Sequence, residues 1–161
     1  MTFIKRALLL LLWSVSSLLA GEAWPGVKFV EARAYAWPDD TETTAVILPG
    51  MKLKLGMVNQ DGAVLSPDQI KRLRAAVTGR HPDYAVAACY IPHNAVVFYD
   101  AEKKPVAFFE ICFGCLGTRP EPGGTATWVD FLGLAKIFDE LKLPMGASAD
   151  FQAFKKHFQE H

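Results

Sequence analysis

An α+β domain, with helices packed on one face of an antiparallel sheet, is the fold class this sequence predicts. Three observations carry that expectation. The middle of the chain holds short apolar runs separated by polar turns at Pro92-His93-Asn94 and Asp100-Ala101-Glu102-Lys103, the pattern of a three-stranded antiparallel meander. Apolar stripes at helical spacing lie after Ser66, after Thr127 and after Ser148, so strands and helices are segregated rather than alternating. Finally, 161 residues with 51% hydrophobic side chains suffice for one core and are cramped for two.

The first segment reads as an address. Lys5 and Arg6 precede an apolar run over residues 7–13, and small residues follow as far as Ala20. A basic start, a short apolar stretch and small residues near Ala20 and Ala23 make a secretory signal peptide over residues 1–23, cut after Ala20 or Ala23. Ser14, Ser16 and Ser17 break the run, leaving it short of the ~20 apolar residues that span a bilayer. Glu22 stands where a lipoprotein would need its cysteine. Residues 24–161 are then a single periplasmic or secreted domain, off the membrane once the signal is cleaved, and its cysteines belong to an oxidising compartment.

Charge narrows the partners. The 17 basic and 17 acidic side chains cancel, which removes the electrostatic footprint of a nucleic-acid binder. Eleven Phe and four Trp argue against disorder.

Along the domain, residues 27–37 read as a strand, with Val27, Phe29, Ala32, Ala34 and Ala36 set against Lys28, Glu31, Arg33 and Tyr35. Pro38-Asp39-Asp40 turns the chain. Leu53, Leu55 and Met57 alternate with lysines as a second strand, and Asn59-Gln60-Asp61-Gly62 turns again. Ser66-Pro67-Asp68-Gln69 is a helix start, with Ser66 as cap, Pro67 in the first turn and Gln69 closing a capping box; Gly79 is the stop. The meander strands are residues 84–90, 95–99 and 106–113. Residues 116–125, with Arg119-Pro120-Glu121-Pro122-Gly123-Gly124, read as a loop, and Arg119 as a solvated loop side chain. Thr127 and Asp130 frame a helix that Pro144 ends. Ser148 caps a last helix bearing Phe151, Phe154 and Phe158, with Lys155, Lys156 and His157 near its C-terminal end. These aromatic stripes read as core.

Register within the meander brings the candidate site together. Pairing Asp100 with Pro105 sets His93 opposite Cys112 and Ala95 opposite Glu110. Pairing Tyr90 with Asn94 sets Cys89 opposite Ala95. Directly opposed residues, and residues two apart on one strand, share a face. Cys89, His93, Glu110 and Cys112 then share one face at one end of the sheet, with Cys115 folding over that end. Val96, Phe98, Ala107, Phe109 and Ile111 occupy the other face.

Three thiolates and an imidazole suit Zn²⁺, and thiolates also suit Cu(I). Cys112-Phe113-Gly114-Cys115 has the spacing that aims two sulfurs at one ion, and Glu110 is positioned to orient His93. The expected function is thus a non-catalytic exported domain with a Zn or Cu(I) site at Cys89, His93, Cys112 and Cys115, supported by Glu110. The alternative is a structural disulfide from Cys89 to Cys112 or Cys115. It would make the domain a stapled protein-binding module such as an inhibitor or immunity protein, with contacts through residues 116–125. A redox or nucleophilic role is a third reading. Covalent haem is excluded because Leu116, not His, follows Cys115. Leu116-Gly117-Thr118-Arg119-Pro120 cannot start the helix that a thioredoxin-like site needs, and Cys89, His93 and Asn94 lie too close in sequence for a hydrolase triad. His81, His157 and His161 read as surface residues.

Cys89-Tyr90-Ile91-Pro92-His93, Phe98-Tyr99-Asp100 and Glu110-Ile111-Cys112-Phe113-Gly114-Cys115 also form a recognisable set. They resemble the Cys-Tyr-x-Pro-His, Phe-Tyr-Asp and Glu-x-Cys-Phe-x-Cys pattern of a group of uncharacterised bacterial exported proteins. The resemblance covers about a sixth of the chain. It implies that this segment is a recurrent module, and it carries over no catalytic residue.

Overall fold

Seven strands and three helices follow one another in the computed structural model, which describes residues 24–160; the segment read as a signal peptide and His161 lie outside the described residues. In order they are β1 (Glu31–Ala36), β2 (Ile47–Leu48), β3 (Lys52–Leu53), β4 (Ala63–Val64), α1 (Pro67–Thr78), β5 (Asn94–Tyr99), β6 (Pro105–Cys112), β7 (Gly117–Glu121), α2 (Phe131–Glu140) and α3 (Phe151–Gln159). Five strands form one antiparallel sheet in the order β4-β1-β5-β6-β7, and β2 pairs with β3 in a separate two-stranded hairpin. The α+β class expected from the sequence is the class observed.

Strand alternation divides the sheet into two faces. Ala34, Val96, Phe98, Phe109 and Ile111 point one way and pack with Leu73 of α1, Phe138 of α2 and Phe154 of α3 in the main core. Tyr35, Trp37, Ala95, Val97 and Phe108 point the other way, against Val46 and Ile47 at the start of the small hairpin. All three helices thus contribute to one core, and the hairpin region covers the opposite face.

The helices begin as their sequences require. The Gln69 N–H donates to Ser66 Oγ at 3.2 Å, and the Ser66 N–H donates to Gln69 Oε1 at 2.9 Å, a reciprocal capping box. Asp130 accepts from the Gly133 N–H at 2.8 Å and caps α2. α2 ends at Glu140, before Pro144, and Lys142 turns the chain with φ of 58°. The cap of α3 is Asp150 rather than Ser148: Asp150 accepts from the Ala153 N–H at 2.8 Å, while Ser148 pairs with Met145 in an isolated bridge.

Three strand expectations are corrected. Residues 84–90 do not form a strand, because β1 already occupies the free side of β5. Residues 116–125 are not a loop throughout, because Gly117–Glu121 forms edge strand β7 against β6. A proline has no N–H for a ladder, but an edge strand, with only one neighbour, tolerates Pro120. The meander therefore exists as β5-β6-β7, one strand later than the sequence suggests. The alternating run at Leu53, Leu55 and Met57 pairs only over Lys52–Leu53, and Leu55 is 86% exposed. Ala95 does lie opposite Glu110, although an irregularity at Phe98 and Tyr99 sets Pro105 opposite Tyr99 rather than Asp100.

These contacts set stability expectations. Ser66→Ala removes one half of the capping box and should cost about 1 kcal/mol. Phe138→Ala, at a position with no exposure, should cost about 3–5 kcal/mol. Urea unfolding of both variants checks the ranking, and equal losses would contradict it.

Candidate functional site

The most constrained side chain at the Cys/His end of the sheet is Glu110. It lies on β6, faces away from the helices and has no exposed surface. A buried carboxylate is costly unless its lone pairs are matched by donors. Here Arg119, its ladder partner on β7, donates from Nε to Oε2 at 2.7 Å and from Nη2 to Oε1 at 3.1 Å. The Val46 and Ile47 N–H groups donate to Oε1 at 2.6 and 2.8 Å, and Tyr90 Oη donates to Oε2 at 3.1 Å. Arg119 also donates to the Ile47 carbonyl at 2.6 Å, with its guanidinium 4.9 Å from the centre of the Phe108 ring. One carboxylate therefore joins β6, β7, the small hairpin and the segment carrying Tyr90.

Electrostatics reinforces the cluster. The hydrogen bond to Glu110 raises the Arg119 pKa further above its ordinary value. Burial, followed by the adjacent Glu110 charge, raises the Tyr90 pKa well above the usual phenol range, so Tyr90 stays protonated and remains a donor. With both oxygens occupied, Glu110 is a structural anchor and has no lone pair directed at a substrate.

Two residues beyond Glu110 the chain turns through a disulfide. Cys112 and Cys115 are bonded to each other, with their Cα atoms 5.5 Å apart. The Cys115 N–H points back at Cys112 Sγ at 3.3 Å. Both residues are buried, whereas Cys89 is a free, exposed thiol. The bond closes the turn from β6 into β7 and so helps to hold Arg119 opposite Glu110.

Segment 84–90 lies across that turn, tied at every third residue. Tyr84 Oη accepts from the Val129 N–H at 3.1 Å, and its ring stands edge-on to Phe131. The Ala87 N–H donates to the Cys115 carbonyl at 3.1 Å. The Tyr90 ring lies so close to Gly117 that a Cβ there would come within 2.9 Å of it, and within 3.4 Å of Cys115 Sγ. Side-chain anchors thus take the place of a strand ladder. Between the segment and β7 is a cavity of about 320 Å³, whose walls include Tyr84, Val86, Cys89, Tyr90, Cys115 and Thr118.

The structure places the expected site residues in three settings. Cys112 and Cys115 form the disulfide, and Cys89 lines the cavity beside Cys115. His93 sits one residue before Asn94, the ladder partner of Ile111, and its Nε2 is buried without a hydrogen-bond partner. His93 is not among the partners of Glu110, which are Arg119, Tyr90, Val46 and Ile47. Among the described residues no three His, Cys, Asp or Glu side chains are grouped to hold one ion. Sequence reasoning missed the roles of Arg119 and Tyr90. The available signal was spacing: a turn at residues 112–117, read as a hairpin, sets Arg119 opposite Glu110.

Comparison with known protein families, with curated proteins and with solved structures finds no match for this chain. No helix among the described residues is long and apolar enough to cross a membrane.

The buried phenol has a consequence at alkaline pH. Tyr90 has a folded pKa above its unfolded value of about 10. Its contribution is fully present below pH ~10 and is lost as pH rises toward the folded pKa, because only the unfolded chain releases the proton. Each such tyrosine steepens the decline by up to about 1.4 kcal/mol per pH unit. Tyr90→Phe should therefore lose stability less steeply with pH above about 10 than the parent, measured by urea unfolding across that range. Identical slopes would show that the phenol does not titrate differently in the folded state.

Proposed function

We propose that this chain is a non-catalytic, disulfide-stapled module of an exported compartment, and that it binds a partner protein through the cavity between segment 84–90 and β7. The observation that carries this reading is the cavity's construction. The Cys112–Cys115 bond and the Glu110 cluster fix one wall, and the other is an extended segment whose Val86 is 53% exposed. A pocket with the exposed Val86 in its wall suits an anchoring side chain from a partner, the kind of contact that dominates protein interfaces. The basic and apolar start of the chain, Lys5 to Ala23, supports export.

The test is site-directed photo-crosslinking in the cell envelope fraction. A crosslinking residue at Val86 should capture a discrete partner, and one at Val64, on β4 at the far edge of the sheet, should not. Thr118→Trp, which fills the cavity, should abolish capture at Val86. Equal capture from both positions, or capture indifferent to the filled cavity, would rule out this surface.

A second reading concerns the reduced chain. With the bond opened, Cys89, Cys112 and Cys115 are all thiols, and His93 Nε2 is a buried nitrogen in need of a partner. Three sulfurs and an imidazole form a donor set for Zn²⁺ or Cu(I), provided that Cys89 and His93 are drawn toward the opened pair. Reduced protein mixed with Zn²⁺ under anaerobic conditions should then retain one ion per chain by native mass spectrometry, and Cys112→Ser should lose it. A reduced chain that retains no ion ends this reading.

A further inference from the structure

The disulfide and the free thiol meet at one cavity. Cys115 and Cys89 both line it, whereas Cys112 does not. Cys89 cannot drift far from Cys115, because residues on either side of it are fixed to the same turn. Two residues before it, the Ala87 N–H is bonded to the Cys115 carbonyl. One residue after it, the Tyr90 ring lies against Gly117, beside Cys115 Sγ, and its hydroxyl is held by Glu110.

From this geometry we infer that the disulfide changes partners within the chain, with Cys89 attacking Cys115 Sγ and releasing Cys112. The exposed Cys89 thiol gives its proton to solvent, and the resulting thiolate forms the Cys89–Cys115 bond. The Cys112–Cys115 bond breaks, and its electron pair leaves on Cys112 Sγ, which then takes up a proton. One disulfide and one thiol are present before and after, so no oxidant or reductant is consumed.

Two features give the exchange its direction. Attack falls on Cys115 because that sulfur borders the cavity from which Cys89 approaches. Attack on Cys115 makes Cys112 the leaving sulfur, and the Cys115 N–H, 3.3 Å away, already points at it. A hydrogen bond to the charged form lowers a thiol's pKa, and a leaving thiol of lower pKa departs faster. The product ties segment 84–90 covalently to the β6–β7 turn across the cavity that both sulfurs line. Its effect on partner binding rests on the function proposed above; the exchange itself does not.

Thiol mapping of the purified protein tests the exchange without any partner, so its failure is distinct from failure of the binding reading. Native protein is labelled with N-ethylmaleimide without reductant, then unfolded and mapped by mass spectrometry. One label per chain is expected, divided between Cys89 and Cys112, with a Cys89–Cys115 cross-link in the chains labelled at Cys112. Label confined to Cys89, with Cys112–Cys115 intact in every chain, would overturn the inference. In a glutathione redox buffer Cys112→Ser should lose two hydrogens and close Cys89–Cys115, while Cys115→Ser keeps both thiols open. A folded Cys112→Ser chain with two open thiols would equally overturn it.

Discussion

The Cys/His end of this sheet is organised around hiding one carboxylate. Glu110 has no contact with solvent, and its two oxygens receive five hydrogen bonds from three other parts of the chain. Arg119 is 42% exposed but Glu110 is not exposed at all, so removing the guanidinium strands a buried carboxylate, which is costly. That cost makes the carboxylate a register pin. β7 can slip neither way along β6 without separating Arg119 from it, and the small hairpin cannot lift from the sheet without exposing it. Tyr90 extends the same constraint to a segment with no ladder of its own.

The disulfide and the ion cluster act on neighbouring parts of one hairpin. Cys112 pairs with Gly117, and two rungs further along Glu110 pairs with Arg119. A covalent bond at the turn restricts the ways the two strands can separate, and the charged pair sets which residues face each other. The Gly117 position, with no side chain, lets the Tyr90 ring settle against this hairpin. The result is a stiff wall carrying Cys115, opposite a segment held at three points.

Much of this was legible in the sequence. The polar turn at Asp100 and the alternation on either side of it place Ala95 opposite Glu110 and divide the core residues between the two faces as observed. Ser66-Pro67-Asp68-Gln69 marks a helix start with little ambiguity, because its capping bonds are local. What the sequence obscured was β7. Two prolines and two glycines within residues 120–124 suggest a loop to any local rule, and only the sheet's strand order shows that this run lies at an edge, where the missing N–H is harmless. With β7 unread, Arg119 reads as a solvated loop side chain, Glu110 as the partner of His93, and the meander is counted from a segment that is instead anchored at Tyr84, Ala87 and Tyr90. Long-range placement, rather than residue chemistry, was the missing information.

The prolines at that edge also govern how copies of the domain meet. An unprotected edge strand templates pairing with the next molecule and is a route to cross-β aggregation. Here one edge of the sheet is β4, only two residues long, and the other presents Pro120 within β7 and Pro122 just after it. Neither edge offers an incoming strand a run of donors and acceptors. Among the described residues the sheet ends at five strands, and edges of this kind give neighbouring copies little means of zipping together.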